Sequence, residues 1–232
     1  MSEQTALRPH QKTLVIACLL TIVGFMVPFL REVLLPVMYL NTHLHELSHA
    51  IVTKLTGGEV TKIIVNADGS GETPVLGGQI FLIASAGYVG SSIFGAIMIA
   101  LGNMEKSAKR ALSALALLLT FSIVVWVRGD TTGIIAGLVW IVILVGVVSF
   151  VKGTPLMFVC QFLGLQMCLN SLLAVFSLVQ LTVATEAHSD ASILESLTGI
   201  PAILWALIWS MMSIVLVVWT LKKSWIPIPM KA

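Results

Sequence analysis

This sequence predicts an all-α polytopic membrane fold, on three observations. Hydrophobic residues make up 57% of the chain and charged ones only 10%, far from the balance of a water-soluble domain. The mean hydropathy is +1.00. About seven apolar runs follow one another with short polar breaks, each near the ~20 residues that carry a helix across the hydrocarbon core. Within lipid a helix satisfies its own backbone polar groups, so such runs read as helices rather than strands. Little sequence is left over, and residues 1–232 are expected to form one membrane-embedded domain.

The first helix is expected near 12–30. It is too long for a signal-peptide core, lacks a small-residue cleavage site and is followed by Arg31 and Glu32, so it reads as a retained span. The second, near 33–56, carries an unusual polar stretch taken up below. Residues 58–78 break the helical pattern. Val60 to Val65 is short and rich in β-branched residues, Asp68-Gly69 supplies a turn, and paired glycines stand at both ends; together these predict a β-hairpin. An edge strand there offers backbone groups to an extended peptide.

The third helix is expected near 80–102, where Gly87, Ser91 and Gly95 fall four apart and strip one face of bulk, so that a neighbouring backbone can approach. Helices near 108–127 and 131–151 are apolar all round and read as scaffold, with Asp130 at their junction. The sixth, near 154–182, is long enough to tilt or break, and a seventh is expected near 198–222. Trp205, Trp209, Trp219 and Trp225 mark the last helix as interface anchors or bundle fillers.

A net charge of +2 excludes a nucleic-acid partner. The positive residues gather at Lys106, Lys109 and Arg110 and at Lys222, Lys223 and Lys231, which favours the cytoplasmic side for those segments and, with seven crossings, the outside for the N-terminus. The expected location is a multi-pass position in the plasma (inner) membrane. Cys18, Cys160 and Cys168 lie in apolar runs with no Cys-x-x-Cys pair, so they read as buried thiols.

The polar stretch of the second helix is "NTHLHELSHA", residues 41–50. His45-Glu46-Leu47-Ser48-His49 has the form H-E-x-x-H. Positions four apart share a helix face, so two imidazoles can hold one metal ion. Glu46, one step round, can reach a water on that ion without ligating it. Zinc lowers the pKa of such a water to about 7 and the carboxylate takes its proton, which is the chemistry of peptide hydrolysis. A carboxylate at the centre of a spanning helix costs on the order of 2–3 kcal/mol, so it is not placed there as decoration. His43 lies roughly 200° round the helix from His45 and reads as a satisfied histidine rather than a ligand. His10 is given no role.

A zinc enzyme needs a third protein ligand. Asp68, Asp130, Glu186, His188, Asp190 and Glu195 are the candidates. "LHELSHAIVTKLTGGEV", followed by a hairpin and a small-residue helix, resembles the site-2 protease family of intramembrane zinc metalloproteases, in its compact branch without appended domains. In that family a later helix supplies an Asn and then an aspartate ligand followed by Gly, and the third helix often carries Gly-Pro-x-x-Asn. Here Asn170 is followed only at Asp190 by an aspartate, with Ala191 next, and Gly87-Tyr88-Val89-Gly90-Ser91 lacks both Pro and Asn, so no catalytic role is carried over to that helix. The resemblance implies Asp190 as the third ligand, with His188 and then Asp130 as the next candidates, and Asn170 as a hydrogen-bonding group for the substrate backbone or its oxyanion; an amide joining two membrane helices is the other reading of Asn170. Asp190 has a second reading, since Ser189 or Asp190 can cap a helix beginning at Ala191, with Ser192 and Glu195 forming a capping box.

The expected activity is therefore hydrolysis of a peptide bond in a transmembrane or membrane-anchored protein, with zinc held by His45, His49 and Asp190 and Glu46 as general base. Thr42, Ser48 and the Thr56-Gly57-Gly58 stretch are expected to line a water route. The alternative is a non-hydrolytic metal-binding membrane protein, either a divalent-cation carrier or a catalytically dead relative that binds membrane segments.

Overall fold

A computed structural model describes the backbone of residues 7–181 and 189–225. The described elements are α1 (Pro9–Met26), α2 (Pro28–Val33), α3 (Leu35–Leu55), β1 (Glu59–Val60), β2 (Ile64–Val65), β3 (Gly71–Glu72), β4 (Val75–Leu76), α4 (Ile80–Leu101), α5 (Glu105–Val125), α6 (Thr131–Phe150), α7 (Gly153–Leu181), α8 (Asp190–Thr198) and α9 (Ala202–Trp225). Helix dominates, as the composition requires. Among the described helices α4, α5, α6 and α9 are long and apolar enough to cross a membrane.

One expected helix is interrupted and another is preceded by a separate short helix. The first ends at Met26 because Pro28 cannot donate to the preceding turn and pushes Val27 into an extended conformation. The chain then turns through the short α2 before α3. The seventh is preceded by α8, which stops at Gly199 in the left-handed region (φ 73°), followed by Pro201. The sixth, α7, runs unbroken over 29 residues.

α4 is the central post. It lies antiparallel to α7 along a seam of small residues, where a Cβ on Gly164 would come within 2.6 Å of the Gly95 carbonyl. The same stripe faces α3 nearer its start, at Gly87 and Gly90. The main apolar core joins α3, α4, α5, α6 and α7 through Leu44, Met98, Leu112, Leu144 and Leu163. Many large apolar side chains on α5, α6 and α9 point outward, among them Val142, Phe150 and Val215, as lipid-facing surfaces require.

The hairpin forms as predicted. β1 pairs with β4 and β2 with β3, both antiparallel, in register Glu59 to Leu76 and Ile64 to Glu72. Its first strand is covered on the other side by a parallel bridge, with Ile63 N–H donating to Trp126 O and Arg128 N–H to Ile63 O, each at 2.9 Å. The second strand, 71–76, is paired on one side only among the described residues. The turn lies on α3: Thr42 Oγ1 donates to Gly69 O at 2.8 Å, and the Tyr39 hydroxyl to Ala67 O.

Candidate metal centre

α3 presents His45 and His49 on the face that meets α4, one turn apart, with ring centroids separated by 4.8 Å. α4 can come this close because Gly87 has no side chain; a Cβ there would lie 2.5 Å from His49 Nε2 and closer still to His45 Nε2. The third member arrives from 145 positions away. Asp190 Oδ2 sits 2.9 Å from His45 Nε2 and 3.2 Å from His49 Nε2. One ligand atom from each of the three lies within 4.8 Å of the others.

The capping reading of the 189–192 stretch applies to Ser189, which leaves the Asp190 side chain to the histidines. Ser189 is the N-cap of α8, its Oγ accepting from Ser192 N–H at 3.2 Å while Ser192 Oγ accepts from Ser189 N–H at 2.8 Å. Glu195 takes no part in that box; its carboxylate accepts from Ala202 N–H. With the cap supplied by Ser189, Asp190 is free to face the histidines. α8 is held there by Ala191 and Leu194, which pack against Ala84 and Trp209.

The donor set fits a cation. His49 Nδ1 lies 2.6 Å from Ile83 O, and a carbonyl can only accept, so Nδ1 carries the hydrogen and Nε2 of the neutral ring is a bare lone pair. That lone pair faces the Asp190 carboxylate. Two electron-rich atoms at this separation need a proton or a metal ion between or beside them. Two imidazoles and one carboxylate, with an outer hydrogen bond fixing one tautomer, form a set of the type that binds catalytic zinc and leaves a fourth position open.

Glu46 is buried on the adjacent face, and its Oε2 accepts from Thr73 Oγ1 at 2.7 Å. Tyr88 packs edge-on against His45, with centroids 4.5 Å apart, and stacks on Trp209. Ser48, expected on a water route, is buried and donates to Leu44 O. Thr42 donates to the backbone as well.

The other candidates stand elsewhere. Asp130 caps α6, accepting from Thr132 N–H, a bond that holds its carboxyl below the usual carboxylate range. Asp68 is held low in the same way by the Ser70 hydroxyl and N–H in the hairpin turn. His43, fully buried, is bonded through Nε2 to Gly133 O at 2.9 Å, away from the site. Asn170 falls within α7, but its side chain is outside those described, and Glu186 and His188 lie outside the described residues.

Across residues 15–220 the sequence matches the family described as Peptidase M50B-like. The chain belongs to that family. No curated protein and no solved structure matches it. The affiliation is the one that the resemblance to site-2 proteases anticipated, and it makes the chain an integral membrane protein of a peptidase family. The matched span of this M50B-like chain takes in the whole cluster. Sequence reasoning gave no site role to Thr73, Gly87, Ile83 or Tyr88. Gly87 carried a signal, its place in a small-residue stripe, but nothing in the stripe says which residues lie opposite.

Proposed function

We propose that the chain is a multi-pass intramembrane zinc metalloprotease of the site-2 type, a single domain over 1–232, that cuts a membrane-protein substrate in the plasma (inner) membrane. The observation carrying this reading is the convergence of His45, His49 and Asp190 beside the buried carboxylate of Glu46. Zinc would be held by Nε2 of each histidine and by the Asp190 carboxylate. When bound, it supplies a Lewis acid and brings a water's pKa down to about 7.

Glu46 takes the proton of the attacking water on its carboxylate and passes it to the leaving amine. Ile83 O keeps the His49 ring turned with Nε2 inward. The edge of strand 71–76 that is unpaired among the described residues would offer backbone groups to an unwound segment of substrate beside the site. Asn170 would donate to the substrate backbone or to the oxyanion that develops there.

The test uses the full chain purified in detergent, with metal content measured beside cleavage of a tagged single-span transmembrane reporter. Wild type should carry about one zinc per chain. Glu46→Gln should retain the zinc and lose cleavage, and Asp190→Asn should lose both. Undiminished cleavage by Glu46→Gln defeats the mechanism. Zinc transport in liposomes would make the chain a carrier, and zinc content near zero in wild type would make it a non-catalytic relative.

A further inference from the structure

The Glu46 carboxylate has one hydrogen-bond donor among the described residues, and it comes from the hairpin rather than from a helix. Thr73 follows β3; its Oγ1 stands 2.7 Å from Glu46 Oε2 and 3.2 Å from Glu46 O. The other carboxylate oxygen is backed by Gly71, where a Cβ would fall 2.6 Å from Oε1 and 2.8 Å from Cγ. Gly71 and Thr73 thus grip the carboxylate from one short segment of strand. A glutamate in a helix otherwise samples several χ rotamers, and only some of them aim its oxygens toward the face shared by His45 and His49.

We propose that Thr73 is a positioning residue for Glu46: its hydroxyl fixes the carboxylate in the rotamer that reaches the reacting water, and it ties that orientation to the hairpin. This rests on Glu46 being the general base. The strand carrying Thr73 is the one whose outer edge is unpaired among the described residues, so a peptide laid along that edge and the base are referenced to the same few residues. Gly71 keeps the strand close enough for the hydroxyl to reach, because a Cβ there would displace the Glu46 or Thr42 side chain or the strand itself.

The test compares Thr73→Val, which keeps the shape and removes the hydroxyl, with Thr73→Ser, which keeps the hydroxyl, and with Thr73→Ala as a second hydroxyl-free variant. The full chain is assayed in detergent on the tagged single-span reporter, with zinc content and thermal midpoint measured on each. Thr73→Val and Thr73→Ala should lower kcat roughly 10- to 100-fold, as expected for loss of a hydrogen bond to a charged group. KM should move less than about threefold, zinc content should stay at the wild-type value, and Thr73→Ser should restore most of the rate. Wild-type kcat in Thr73→Val beside a dead Glu46→Gln overturns the positioning role and leaves the protease reading standing. A rise in KM at constant kcat, equal loss in Thr73→Ser, or loss of zinc from both hydroxyl-free variants also overturns it. Cleavage by Glu46→Gln overturns both together.

Discussion

Gly87 decides how close α4 can stand to the two imidazoles, and this sets opposite signs on two measurements. Alanine is the better helix former by about 1 kcal/mol, yet its methyl would meet His45 and His49 at contact distances no real Cβ shows. One ring must then swing away from Asp190. Gly87→Ala should leave helicity unchanged or slightly raised while zinc content and cleavage fall at least tenfold; full zinc content by metal analysis would show that the site does not need this glycine. Much at this scale was legible in the sequence. His45, Glu46 and His49 follow from a spacing matched to the helical repeat, and the separation of His43 from them follows from 200° of rotation. Thr73 was not legible. A threonine in a polar hairpin carries no pattern until the hairpin is laid on α3.

At the scale of elements, Asp190 is only as well placed as α8, and α8 begins with a cap. Ser189→Ala removes an acceptor for the Ser192 N–H and should destabilise the start of that helix by about 1 kcal/mol. Ser189→Asp restores a capping acceptor. The expected result is faster zinc release into a chelator dye for Ser189→Ala, with dissociation near wild type for Ser189→Asp. Equal rates in all three would separate the cap from the ligand. Helix positions followed closely from hydropathy because lipid permits few alternatives, and the hairpin followed from β-branched residues and turn chemistry. The break at Val27 was missed because apolar runs set how long a segment can be, whereas Pro28 sets where it stops; the start of α8 was legible as a capped helix at Ala191, and Gly199 and Pro201 divide it from α9. The α1 to α2 turn also alters direction. α1 starts beside the end of α4, where Gln161 Nε2 donates to His10 O and to Asn103 Oδ1. α3 instead ends beside the start of α4, where Thr56 Oγ1 accepts from Gln79 N–H. α1 and α3 therefore run the same way.

For the whole molecule this arrangement changes the expected orientation. The start of α1, the turn between α4 and α5, the turn between α6 and α7 and the end of α9 share one end of the bundle; Asn103 Nδ2 donates to Ser224 Oγ there. That end holds Arg8, Lys12, Lys106, Lys109 and Arg110 together with Lys152, Lys222 and Lys223, against Lys54, Lys62 and Arg128 at the end nearer the histidines. Among the described residues at the two ends, eight basic residues against three predict that the basic end is cytoplasmic, with the start of α1 inside, where a count of seven crossings would put it outside. Single cysteines introduced at Ser107 and at Lys62, in a background with the native cysteines replaced, check this with a membrane-impermeant maleimide on intact cells. Labelling is expected at 62 and not at 107, and the reverse pattern refutes the orientation.

The 145-position gap between His45 and Asp190 has a consequence of its own. An ion clasped by both would turn most of an open string into a ring, and the entropy of keeping such distant stretches together would be met by one coordination sphere. Emptying that clasp would then return that entropy to the chain and loosen the hold on α8, while α9 stays packed on α4 and α7.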